Sequence, residues 1–150
     1  MEGEPEGGYP LGSFGNGISP PLDTVGEEEY PLGVLKSHEE MPIFTRSFDL
    51  LTWLLPVTNN FPRAHRGSVT RRLLDAAFDF RERIEEANVR QGSTRRERLI
   101  KADEALARLR VYLRLACRWG WLTDGQYGHA AELVAEIGRL LGGWQKATHS

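Results

Sequence analysis

The 150-residue chain contains a single cysteine, Cys117, so neither an intrachain disulfide nor a cysteine metal cluster can form. An intracellular protein is the default for such a chain. No segment approaches ~20 consecutive apolar residues, and the N-terminus is acidic and lacks an apolar run. No membrane span and no signal peptide are therefore expected, and the cytoplasm is the expected compartment. His38, His65, His129 and His149 are scattered without a pair at metal-ligand spacing, and no Glu-x-x-His motif is present for a di-iron bundle. A phosphate-binding glycine loop and a dinucleotide fingerprint are also missing. Glu132 and Glu136 share a helical face but have no catalytic partner nearby in sequence. Cys117, among Leu115, Ala116 and Trp119, reads as a packed side chain rather than a nucleophile. These absences argue against an enzyme and imply no metal or cofactor.

What is present is divided unevenly. Residues 1–40 carry nine acids and one base, a net of −8, while residues 41–150 carry 18 bases and 12 acids, a net of +6. The overall −2 thus joins an acidic tail to a basic body, which suits an anionic partner or a tail that shields the body. The tail holds eight Gly and five Pro, a composition that cannot bury enough apolar surface to offset chain entropy, and reads as disordered. Tyr9-Pro10-Leu11-Gly12 recurs as Tyr30-Pro31-Leu32-Gly33, either as a docking motif or as a chance echo in low-complexity sequence.

From residue 41 onward the apolar spacing predicts helices. Phe44, Phe48, Leu51 and Leu55 step by three or four. So do Val69, Leu73, Ala76, Phe80, Ile84 and Ala87, then Leu99, Ala102, Leu106, Leu109, Leu113 and Ala116, and last Tyr127, Ala130, Val134, Ile137 and Leu141. Thr94 with Glu97 and Thr123 with Gln126 fit capping boxes at the third and fourth helix starts. Short connections near 59–64, 90–93 and 120–122 predict an all-α, up-down-up-down four-helix bundle.

The first helix is apolar on more than one side. Leu50, Leu51, Trp53, Leu54 and Leu55 wrap it, so Leu50, Trp53 and Leu54 are expected at an oligomer or partner interface. Pro56 predicts a kink or an early stop. Near the other end, Gly138 and Gly142 lie four apart and would admit a neighbouring backbone, while Gly142-Gly143 suits a left-handed cap. Trp144 then either folds back over the last turn or anchors an interface.

On the second helix Arg71 with Asp75, Asp79 with Arg83, and Glu86 with Arg90 stand four apart and predict a self-neutralised face. The third helix differs. Arg110, Arg114 and Arg118 form a ridge about 12 Å long, and no acid occurs between Glu104 and Asp124. Phosphate, or acids from another helix or subunit, must meet such a ridge. Arg95, Arg96, Arg98 and Lys101, with Arg63 and Arg66 in the first connection, complete the candidate nucleic-acid-binding set.

The runs FDLLTWLLPVTNNFPRAHR (48–66), LARLRVYLRLACRWGWLT (106–123) and EIGRLLGGWQK (136–146) resemble the accessory variability determinant proteins of diversity-generating retroelements. The likeness spans about residues 43–148. It implies a basic helical bundle that assembles as a homopentamer, binds the retroelement's reverse transcriptase with RNA and cDNA, and supports mutagenic copying without catalytic activity of its own. The related alternative is a protein-binding bundle of the type encoded in intervening sequences of ribosomal RNA genes, with no nucleic-acid role. The acidic tail is not an evident part of the resemblance, and either competes with RNA for the basic surface or docks a separate protein.

Overall fold

The computed structural model describes residues 41–149, so the acidic segment and its two YPLG copies lie outside the described residues. Four helices follow in order: α1 Pro42–Thr58, α2 Arg71–Asn88, α3 Gly92–Arg118 and α4 Asp124–His149. Between α1 and α2 the chain makes a 3₁₀ turn at Arg63–His65 and a wide five-residue π turn at Arg66–Thr70. Each helix packs on its sequence neighbours, and α1 packs on α4 to close the bundle.

The directions follow from cross-helix contacts. Arg46 meets Glu136 at 3.1 Å and Trp53 meets His129 at 5.2 Å between ring centroids, so α1 and α4 run antiparallel. Glu86 pairs with Arg98 at 2.8 Å and Asp79 with Arg108 at 3.4 Å, setting the same relation between α2 and α3. Hydrogen bonding to Glu136, and then to Asp49, pushes the Arg46 guanidinium above its ordinary value. Exposed pairs of this kind fix register more than they stabilise.

The core is a continuous apolar seam. Phe44, Leu50 and Leu54 from α1 face Leu73, Phe80 and Ile84 from α2, with Leu99, Leu106, Leu109 and Leu113 from α3 and Val134, Ile137 and Leu141 from α4. The predicted stripes of α2, α3 and α4 are largely those buried. The stripe of α1 is rotated: its buried face is Ile43, Phe44, Ser47, Leu50 and Leu54, whereas Phe48 and Leu55 are 61% and 44% exposed. A helix apolar all round gives periodicity no phase to detect. Leu50 and Leu54, expected at an interface, are therefore core residues of the subunit.

Helix ends show which local signals prevail. Pro42 opens α1, where its missing N–H costs nothing, and α1 stops at Thr58, two residues past Pro56. The Thr123 box forms as predicted: Gln126 N–H donates to Thr123 Oγ1 at 3.0 Å, and Thr123 N–H donates to Gln126 Oε1 at 2.9 Å. The Thr94 box does not form. Here the N-cap is Gln91, three residues earlier, α3 starts at Gly92 (φ +61°), and Glu97 is drawn to Arg98 at 3.1 Å.

The left-handed glycine cap occurs at Gly120 (φ +79°) rather than at Gly142-Gly143. Gly120 N–H donates to Cys117 O at 3.0 Å and Trp121 N–H to Ala116 O at 2.8 Å, the paired bonds of a Schellman motif closing α3. Helix α4 passes through Gly142 and Gly143 because Trp144 packs beyond them, edge-on to Phe44 at 6.0 Å and under the Arg95 guanidinium at 5.8 Å. A Cβ at either glycine meets nothing within 4 Å. Gly142→Ala and Gly143→Ala are each expected to raise stability by about 0.5–1 kcal/mol, read as a higher urea midpoint at unchanged slope. A lower midpoint for both would mean that the helix ends there.

Candidate nucleic-acid interface

Residues four apart on one helix stand above one another, so Arg110, Arg114 and Arg118 form a row along the second half of α3. Arg114 and Arg118 are exposed, and Arg110 is half-buried. Among the described residues none of the three has an ion pair or hydrogen bond, in contrast to Arg108, which reaches Asp79. The Arg110 guanidinium lies where a side chain at position 138 would sit: a Cβ there would come within 2.6 Å of its Nη2. Gly138 thus admits an arginine rather than a neighbouring backbone, and Gly142 admits nothing. Arg110, Arg114 and Arg139 line a cleft of about 510 Å³ between α3 and α4, with Tyr127 and Gly138 in its wall. Arg139 was missed in the sequence because only the α3–α4 register places it beside the ridge.

Arg63 and Arg66 lie in the α1–α2 connection, at the same end of the bundle as Arg118. Ring contacts fix this, since His65 stacks on Trp121 at 5.3 Å with 23° between planes and meets Trp119 edge-on at 6.2 Å. Both arginines are exposed and, among the described residues, unpaired.

The remaining predicted residues stand elsewhere. Arg98 lies 20 residues before Arg118 on α3, about 30 Å away. Its Nε is 2.8 Å from Glu86 Oε1 and its Nη1 is 3.1 Å from Glu97 Oε1. Arg95 donates to Ala87 O at 2.9 Å and Asn88 O at 3.3 Å, capping the C-terminus of α2. Lys101 borders a mixed-charge cleft with Asp79, Arg83, Glu104 and Arg108. Arg96 carries no ion pair among the described residues but belongs to this opposite end. One continuous basic surface running from Arg95 to Arg118 is therefore not formed. The predicted α2 ladder also differs: Arg83 pairs with Glu86 at 2.8 Å, Arg81 with Glu85 at 2.7 Å, and Arg90 donates to the Glu86 carbonyl at 3.0 Å.

Of the expected interface residues, Trp53 is half-buried against His129 and Trp144 is half-buried against Phe44 and Arg95. The exposed apolar residues on α1 are instead Phe48 and Leu55. Cys117 Sγ lies 4.0 Å from Asp124 Oδ1. Among the described residues no cluster of three or more His, Cys, Asp or Glu could hold a metal, and no helix is long and apolar enough to cross a membrane.

No curated protein matches the chain. A family model described as bAvd-like matches residues 41–148, which is nearly all of the described bundle. With four antiparallel helices and this match over most of its length, the chain belongs to the bAvd-like family of accessory proteins.

Proposed function

We propose that this chain is a non-catalytic accessory protein of a diversity-generating retroelement. It binds the element's reverse transcriptase together with template RNA and cDNA, and supports error-prone copying. The observation that carries this reading, alongside family membership, is the row Arg110, Arg114 and Arg118, to which the described bundle offers no carboxylate. Like charges about 6 Å apart along a helix repel, and phosphates relieve that repulsion with the planar donors that guanidinium offers. We propose assembly as a homopentamer in the family's pattern and action in the cytoplasm as well; the exposed Phe48 and Leu55 of α1 are side chains that a subunit contact would cover.

The test is a reconstituted copying reaction containing the retroelement's own reverse transcriptase and its template RNA. Omitting this chain is expected to reduce cDNA to background, and adding it back restores both product and misincorporation. Equal yield and fidelity with and without the chain would contradict the reading and favour a bundle that binds protein alone.

A further inference from the structure

We infer that Trp119, held by His65 and Trp121, is a stacking platform for unpaired bases of single-stranded nucleic acid. This rests on the reading that the α3 row binds phosphates, and it adds that bases as well as backbone are gripped. Trp119 closes α3 at the Schellman turn and is 62% exposed, the most open of the phenylalanine, tyrosine and tryptophan side chains among the described residues. Four rings form a connected group there. Phe61 and Trp121 lie 5.4 Å apart, Trp121 stacks on His65, and Trp119 meets Trp121 at 5.9 Å and 80° and His65 at 6.2 Å and 87°. Buried Phe61 roots the group in the core. Trp119 is thus fixed by near-perpendicular contacts while most of its surface faces water, which lowers the ordering cost of anything that stacks on it.

The surroundings select the occupant. The sequence holds no acid between Asp49 and Asp75 or between Glu104 and Asp124, and these two stretches supply the whole aromatic group; Asp124 itself lies beside the groove, with Oδ1 4.0 Å from Cys117 Sγ. Arg63, Arg66 and Arg118 lie in them, none with an ion pair among the described residues. An open groove of about 670 Å³ leads from Trp119 past Arg118 to Arg114, with Val111 and Tyr127 in its wall. An aromatic face bordered by unpaired cations suits a strand that offers bases and phosphates in alternation. Duplex bases are already stacked on one another and could not use it. Tryptophan and arginine are also enriched at protein interfaces, and the measurements below separate a protein contact from a nucleic-acid one.

The full chain would be titrated, at one fixed salt concentration, with a 20-nucleotide oligouridylate and with an abasic strand of the same length. Wild type is expected to bind the uridylate more tightly and to show quenched tryptophan emission with it alone. Trp119→Ala should weaken uridylate binding roughly 5- to 150-fold, leave the abasic strand unaffected, and melt at the wild-type temperature; Trp119→Phe should keep most of the affinity. Equal wild-type affinity for the two strands would overturn stacking while leaving phosphate binding intact. Failure to bind either strand would overturn the phosphate reading and this inference with it. Unchanged uridylate binding by Trp119→Ala, coupled with loss of co-purification with the reverse transcriptase, would make this end a protein contact.

Discussion

Phe80→Ala is expected to destabilise the bundle by about 3–5 kcal/mol, against a total stability of roughly 5–15 kcal/mol for a domain of this size. Phe80 is 1% exposed on the face of α2 turned to the core, and truncation would leave a cavity lined by groups that belong to different helices and cannot all close inward. The matched control is Phe48→Ala. Both phenylalanines sit in apolar stripes at helical spacing, but Phe48 is 61% exposed and its ring meets the Arg81 guanidinium at 5.9 Å, so its loss should change the stability of the isolated subunit by no more than about 1 kcal/mol. Urea unfolding of both variants in dilute solution, where association does not contribute, decides the matter. Equal losses would mean that α1 buries the face periodicity first suggests, with Phe48 inside.

That comparison also marks where the sequence is legible. Helices α2, α3 and α4 each have one apolar stripe, so their buried faces follow from spacing alone. The Thr123–Gln126 box follows from local chemistry, because both partners lie within one turn. In α1, by contrast, Leu50, Leu51, Trp53, Leu54 and Leu55 surround the axis, and only packing against α2 and α4 chooses among the faces. The glycine pair at 142 and 143 has the composition of a helix stop. What overrides it is a long-range contact, Trp144 against Phe44 and Arg95, that no window of local sequence contains.

The site was legible in part for the same reason. Charge spacing on α3 identifies the row Arg110, Arg114 and Arg118 correctly as a row. It cannot show that Arg98 is matched by Glu86 from α2, because that pairing depends on the α2–α3 register. It cannot show that Arg95 is engaged by the carbonyls ending α2. The aromatic group at the other end joins residues more than 50 positions apart, and emerges only when the first and last connections meet at one end of the bundle.

The second large effect concerns the α3 row. In Arg110→Ala, Arg114→Ala and Arg118→Ala combined, three positive charges are lost from positions with no internal partner among the described residues, so the fold should lose little. Binding should lose much. Each phosphate contact removed lowers the dependence of log affinity on log salt by roughly 0.9 on duplex and 0.7 on single strands, so three contacts remove about 2 on single-stranded RNA. Across a fourfold rise in salt, that difference alone changes the ratio of wild-type to variant affinity by roughly 15- to 20-fold. The salt titration of RNA binding by wild type and this triple variant is therefore the measurement that tests the account most directly. A steep wild-type slope that falls by about 2 in the variant would establish the row as a phosphate-binding surface. Superimposable slopes, or equally weak binding by both proteins, would contradict it and assign the row to a protein-facing surface.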